Sequence, residues 1–148
     1  MAAAAVAGVY WQSGAQGCAN ADRAFLDSVN ANVAVAQRDL DPGYRDLLME
    51  QGHEYLAAAE VVFDPALLSE GTSHALGAFE GVLRFDPRDA EAEAGIMRIL
   101  DLYRRKVNEL LDGGDARGAA AIADYGLKVH PQHCALNSLK ERALARFN

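Results

Sequence analysis

Side chains that favour sheets are scarce in this sequence. Aromatic residues fill 7% of the 148 positions, proline occurs four times, and the apolar fraction leans on alanine rather than on valine and isoleucine. That bias speaks against a β-rich fold and for helices that approach closely through small side chains. Clustered Lys and Arg are missing too. Residues 1–74 hold 3 basic and 10 acidic side chains, and residues 75–148 hold 11 of each. Without a basic patch the chain lacks the means to neutralise phosphates, which excludes a nucleic-acid-binding role, and its acidic first half favours basic or zwitterionic partners.

The chain also lacks a long hydrophobic run. Its apolar opening, Met1 to Trp11, is far short of the roughly 20 residues that span a bilayer, and it has no basic flank of a signal peptide. The segment therefore reads as the last turns of a membrane anchor, with Tyr10 and Trp11 at the interface, while Gln16 fits poorly in the alternative, a lipoprotein site at Ala15-Gln16-Gly17-Cys18. Cysteine is nearly absent. Cys18 and Cys134 lie 116 residues apart and match no close-spaced zinc or redox motif, leaving a long-range disulfide or two unrelated thiols.

Reactive constellations are absent as well. No phosphate-binding glycine loop and no nucleophile elbow occurs. His53-Glu54 begins like a zinc-protease motif, but Ala57 stands where the second histidine is required. His130, His133 and Cys134 together offer three donors, against the ordinary reading of a loop histidine followed by one at a helix start. The sequence assigns no catalytic residue, no cofactor and no metal site.

What remains is helical periodicity. Residues 12–20 read as a small, polar, glycine-containing linker, so that 1–20 form an apolar start plus linker and 21–148 a folded domain. From Asp22 to Leu40, Phe25, Leu26, Val29, Val33 and Ala36 recur at helical spacing until Asp41-Pro42-Gly43 ends the segment. A second helix is predicted from Tyr44 to Phe63 with Tyr44, Leu48, Tyr55, Ala59 and Val62 inward, followed by a loop carrying one short helical turn. A third follows with Ala75, Leu76, Phe79, Val82 and Leu83 inward. The fourth runs from Asp89 to Asp112 on Ile96, Ile99, Leu100, Tyr103, Val107 and Leu110, and Gly113-Gly114 turns the chain. Two more helices lead to His130-Pro131 and from His133 to Phe147, the last acting as a solvated cap.

Pro42, Pro87 and Pro131 are spaced 45 and 44 residues apart, an interval that points to stacked helical hairpins. Gly114-Asp115, Ala119, Gly126 and Pro131, and more loosely Gly71, Ala75, Phe79 and Phe85-Asp86-Pro87, resemble the tetratricopeptide family over residues 44–147. The interval exceeds the usual repeat of about 34 residues, which a long first helix would explain. The resemblance implies an all-α stack of antiparallel hairpins with a C-terminal cap and no enzymatic activity. It implies a protein-interaction module whose first helices line a groove, the alternative being a self-assembly domain of a larger protein. The expected groove residues are Glu50 and His53, with Asp46, Ala57 and Glu60, on one wall. Arg98, Asp101, Arg105 and Asn108, with Asp112, form the other. Arg98, Arg105 and Asn108 are the candidates for gripping a peptide's terminal carboxylate. A likeness to repeat domains that follow a membrane helix in bacterial signalling and envelope proteins implies anchoring with the domain facing the periplasm, the alternative being the cytoplasm.

Overall fold

Helix starts in this chain are set by capping side chains. Asp41, His74, Asp89, Asp115 and His133 each accept a hydrogen bond from a backbone N–H two or three residues on, satisfying a donor that the first helical turn leaves unpaired. The computed structural model describes the backbone of residues 2–34 and 41–147, and the side chains of residues 16–33, 41 and 43–147. Its helices are α1 (Ala2–Ala34), α2 (Pro42–Val61), α3 (Ala75–Phe85), α4 (Ala90–Asp112), α5 (Ala116–Val129) and α6 (Cys134–Arg146). A single π-helical turn, Ala66–Glu70, lies between α2 and α3. No strand occurs among the described residues, so the fold is all-helical. None of the described helices is long and apolar enough to cross a membrane.

Three expectations need correction. Pro42 does not close the first helix; it opens α2 at the first helical position, where its missing N–H costs nothing, with Asp41 as cap. Residues 12–20 are not a linker but continue α1. Composition could not show this, because the segment's partners are distant: Cys18 forms a disulfide with Cys134 of α6. The third concerns the ends of the inward stripe of α2. Leu48, Tyr55 and Ala59 do pack on the core, but Tyr44 and Val62 are exposed, and the fully inward positions are Met49, Gly52, Leu56 and Ala59. A Cβ on Gly52 would sit 2.7 Å from the Phe79 ring, so the bare backbone is what lets α3 approach. The residues predicted at 36 and 40 lie outside the described ones.

The other predicted stripes hold. Phe79, Val82 and Leu83 of α3 are fully buried, as are Ile96, Ile99, Leu100, Tyr103 and Val107 of α4. Phe79 is wedged between Gly52 of α2 and Gly95 of α4, while Gly126 of α5 receives Tyr103 and Leu136. Consecutive helices from α2 to α6 pack on one another, and α2 also touches α4, as α4 touches α6. Gly114, with φ +84°, makes the tight turn between α4 and α5 in the left-handed region that a side chain would strain.

Helix α1 lies across the turns that join these hairpins. At the α3–α4 turn, Asp27 pairs with Arg88 at 2.6 Å and Arg23 with Glu93 at 2.8 Å. Buried Asn30 accepts from the Arg88 N–H and donates to Glu93, and Arg88 adopts a left-handed φ of 66° there. Beside the α5–α6 turn, buried His130 contacts Asp22 at 2.8 Å and stacks on Phe25 with ring centroids 4.4 Å apart. The disulfide completes this second attachment.

Candidate functional site

The face of α2 that carries His53, Ala57 and Glu60 turns toward α4. His53 Nε2 lies 2.8 Å from Glu91, and Glu60 accepts from Arg98 Nη2 at 2.6 Å. Both pairs link residues 38 apart in sequence, and seven positions, about two helical turns, separate them along each helix. A constant offset of the same sign means that α2 and α4 run parallel and side by side. Between them is a shallow groove of about 360 Å3, lined by Leu56, Ala57, Ala94 and Gly95 on its floor and by these four charged or titratable side chains on its rims.

Two of the predicted site residues, His53 and Arg98, line this groove together. Asp101 joins them indirectly, since it accepts from Arg98 at 2.7 Å and from Arg104 at 2.6 Å. Glu50 is exposed further toward the start of α2. Arg105 leaves the groove and lines a smaller hollow of about 250 Å3 with Glu60, Phe63 and Lys106, at the end of α2. Asn108 lies almost one turn further along α4, where α2 no longer runs beside it.

This arrangement alters the role expected of Arg98. The hydrogen bonds that Arg98 donates to Glu60, with the charges of Glu60 and Asp101, raise its pKa above the ordinary arginine value, and its donors are directed to Glu60 and Asp101. A terminal carboxylate would have to displace those partners. The groove's own rims present two carboxylates, Glu60 and Glu91, against one guanidinium and one imidazole, while Asp101 is shared between Arg98 and Arg104. Each exposed pair contributes little to stability, on the order of 0–1 kcal/mol. Glu91 and Ala94 were missed as groove residues, because their facing α2 depends on the tertiary offset rather than on a pattern within α4.

The histidine–cysteine cluster is committed elsewhere. Cys134 is in the disulfide, His130 contacts Asp22, and His133 Nδ1 caps α6 by accepting from Leu136 N–H. Burial and the adjacent His130 lower the His133 pKa, which favours the neutral ring that such a cap requires. No group of three or more metal-donor side chains occurs among the described residues. No family model, no curated protein and no solved structure matches the chain.

Proposed function

We propose that this chain is a non-catalytic protein-interaction module, built as a divergent tetratricopeptide-like stack, whose α2–α4 groove takes a basic segment of a partner protein. The observation that carries the reading is the parallel pairing of α2 and α4 at a fixed offset. Contacts between consecutive helices from α2 to α6, together with those of α2 with α4 and of α4 with α6, support reading α2–α3 and α4–α5 as stacked hairpins with α6 as the cap. Such stacks present the first helices of their hairpins as one continuous surface, and here the stretch between α2 and α4 is a shallow groove whose two rim carboxylates face a single guanidinium, a slight acidic excess that suits a basic segment. The Cys18–Cys134 bond further supports an oxidising compartment, consistent with a membrane-anchored domain facing the periplasm.

Charge reversal tests this. Glu60→Lys with Glu91→Lys inverts the rims without touching the core. Affinity capture from the native cell envelope is expected to lose the partner retained by the parent protein, at an unchanged melting temperature. Equal capture by both proteins would end the groove reading.

A second reading, self-assembly, is favoured by a different surface. Val61 and Val62 at the end of α2 are 85% and 69% exposed, and Tyr44 and Leu47 near its start are about half exposed. They form two small apolar patches at opposite ends of the first helix of the stack. Light scattering over a range of concentrations distinguishes the two: a dimer broken by Val61→Glu supports assembly, and a monomer throughout removes it.

A further inference from the structure

Where α1 crosses α3 and the end of α5, the helices enclose a second concavity of about 570 Å3, remote from the α2–α4 groove. That volume lies within the roughly 300–1,000 Å3 of small-molecule sites. Phe25 and Val29 of α1, Leu76 of α3 and Val129 of α5 supply apolar walls. Glu80 of α3 sits in one wall, and the Ser28 hydroxyl and the Asn32 amide line the α1 side.

The charges around this cavity are unevenly satisfied. Lys128 belongs to its rim, but its ammonium lies 3.6 Å from Glu70 and over the Tyr125 ring. His130 is occupied by Asp22 and Phe25. Arg84, one turn beyond Glu80, is exposed and favours the carboxylate electrostatically. Glu80 itself has no hydrogen-bond or ion-pair partner among the described residues. Burial raises its pKa from the ordinary glutamate value. A partly desolvated carboxylate facing an apolar space is poised to gain from a cation that arrives with its own apolar body, because pairing offsets the desolvation it already carries.

We infer that the cavity between α1, α3 and α5 binds a small organic ammonium with an apolar body, the ammonium meeting Glu80 and the body lying against Phe25, Val29 and Leu76. Neither the groove reading nor the oligomeric state bears on this site.

The probes are 4-phenylbutylamine, the corresponding alcohol and the corresponding carboxylate, titrated into methyl-labelled full-length chain and followed by NMR. The amine is expected to move the Val29, Leu76 and Val129 methyl signals in a saturable way, with the alcohol weaker and the carboxylate weakest. Glu80→Gln is expected to weaken the amine about tenfold, a difference of about 1.4 kcal/mol, and to leave the alcohol unchanged. Leu76→Trp, which fills the space without altering charge, is expected to abolish binding of all three, with circular dichroism confirming that both variants fold. Equal binding of the amine and the carboxylate, an unaltered amine affinity in Glu80→Gln, or no methyl shift up to about 10 mM amine, weaker than any meaningful site, would each overturn the assignment.

Discussion

Reduction of the Cys18–Cys134 bond removes a crosslink that closes 116 residues of chain. In the chain-entropy description, a loop of that size lowers the entropy of the unfolded state by about 16 cal/mol/K, equivalent to about 5 kcal/mol at room temperature. Domains of this length are stable by roughly 7–20 kcal/mol, so the crosslink accounts for a large share. The native contacts of α1 with the α3–α4 and α5–α6 turns do not depend on the bond and should survive its loss. The expected outcome of reduction, or of the Cys18→Ser, Cys134→Ser double variant, is therefore an intact helical spectrum with stability lower by about 3–5 kcal/mol. With an unfolding entropy of about 0.3 kcal/mol/K for a chain of this length, the midpoint falls by about 10–16 °C. Urea unfolding with and without a phosphine reductant, alongside thiol titration, makes the measurement. Two titratable thiols in the protein purified without reductant would refute the pairing. A loss below about 1 kcal/mol with both thiols released would refute the entropic reasoning.

Other perturbations test the packing and the caps. Gly95→Ala places a Cβ about 2.5 Å from the fully buried Phe79 ring, which Gly52 confines on its other side, so stability should fall by about 1–3 kcal/mol despite alanine's better helix propensity. An unchanged urea midpoint would show that the ring can yield. Tyr103→Phe removes the 2.6 Å hydroxyl contact with Ser69 of the π-helical turn and should cost about 1 kcal/mol. Burial pushes the Tyr103 phenol up to about 12, so no phenolate signal from it is expected in an ultraviolet titration below pH 11, and one would contradict its burial. Burial also lowers the pKa of His74 and of His133, so their caps stabilise the fold above the ordinary histidine value of 6.5 and are lost as pH falls through the lower folded values. Asp27, held low by Arg88, and Glu93, held low by Arg23, add a second loss as pH falls below the ordinary carboxylate range. His133→Asn, a cap that does not titrate in this range, should flatten the upper part of that decline; an unaltered pH profile of urea midpoints would show that the cap's titration does not set it.

How much of this was legible depended on the range of the interaction. Helices α3 to α6 announce themselves locally, through apolar spacing, through Asp89 and Asp115 at their starts, and through Gly114 at the turn. The inward face of α2 was read only in part, Leu48, Tyr55 and Ala59 but not Tyr44 and Val62, because its central contact is made by Gly52, a residue with no side chain to register in an apolar pattern. Pro42 was misread because the same residue can follow one helix and begin the next. For α1, the deciding partners are 116 residues away for Cys18 and 108 for Asp22, beyond any local period. The groove shows both effects: His53 and Arg98 lie on the predicted stripes, whereas Glu91 and the diversion of Arg98 to Glu60 follow only from how α2 sits beside α4.

The most direct measurement of the groove reading is site-specific photocrosslinking in the native cell. A benzophenone side chain replaces Ala94, exposed in the groove, or Ala121, exposed on α5. Illumination is predicted to yield one discrete adduct from position 94 that disappears when Glu60 and Glu91 are reversed in charge, and none from position 121. The same adduct from both positions, or none from position 94, would contradict the claim that the α2–α4 groove is where this domain meets its partner.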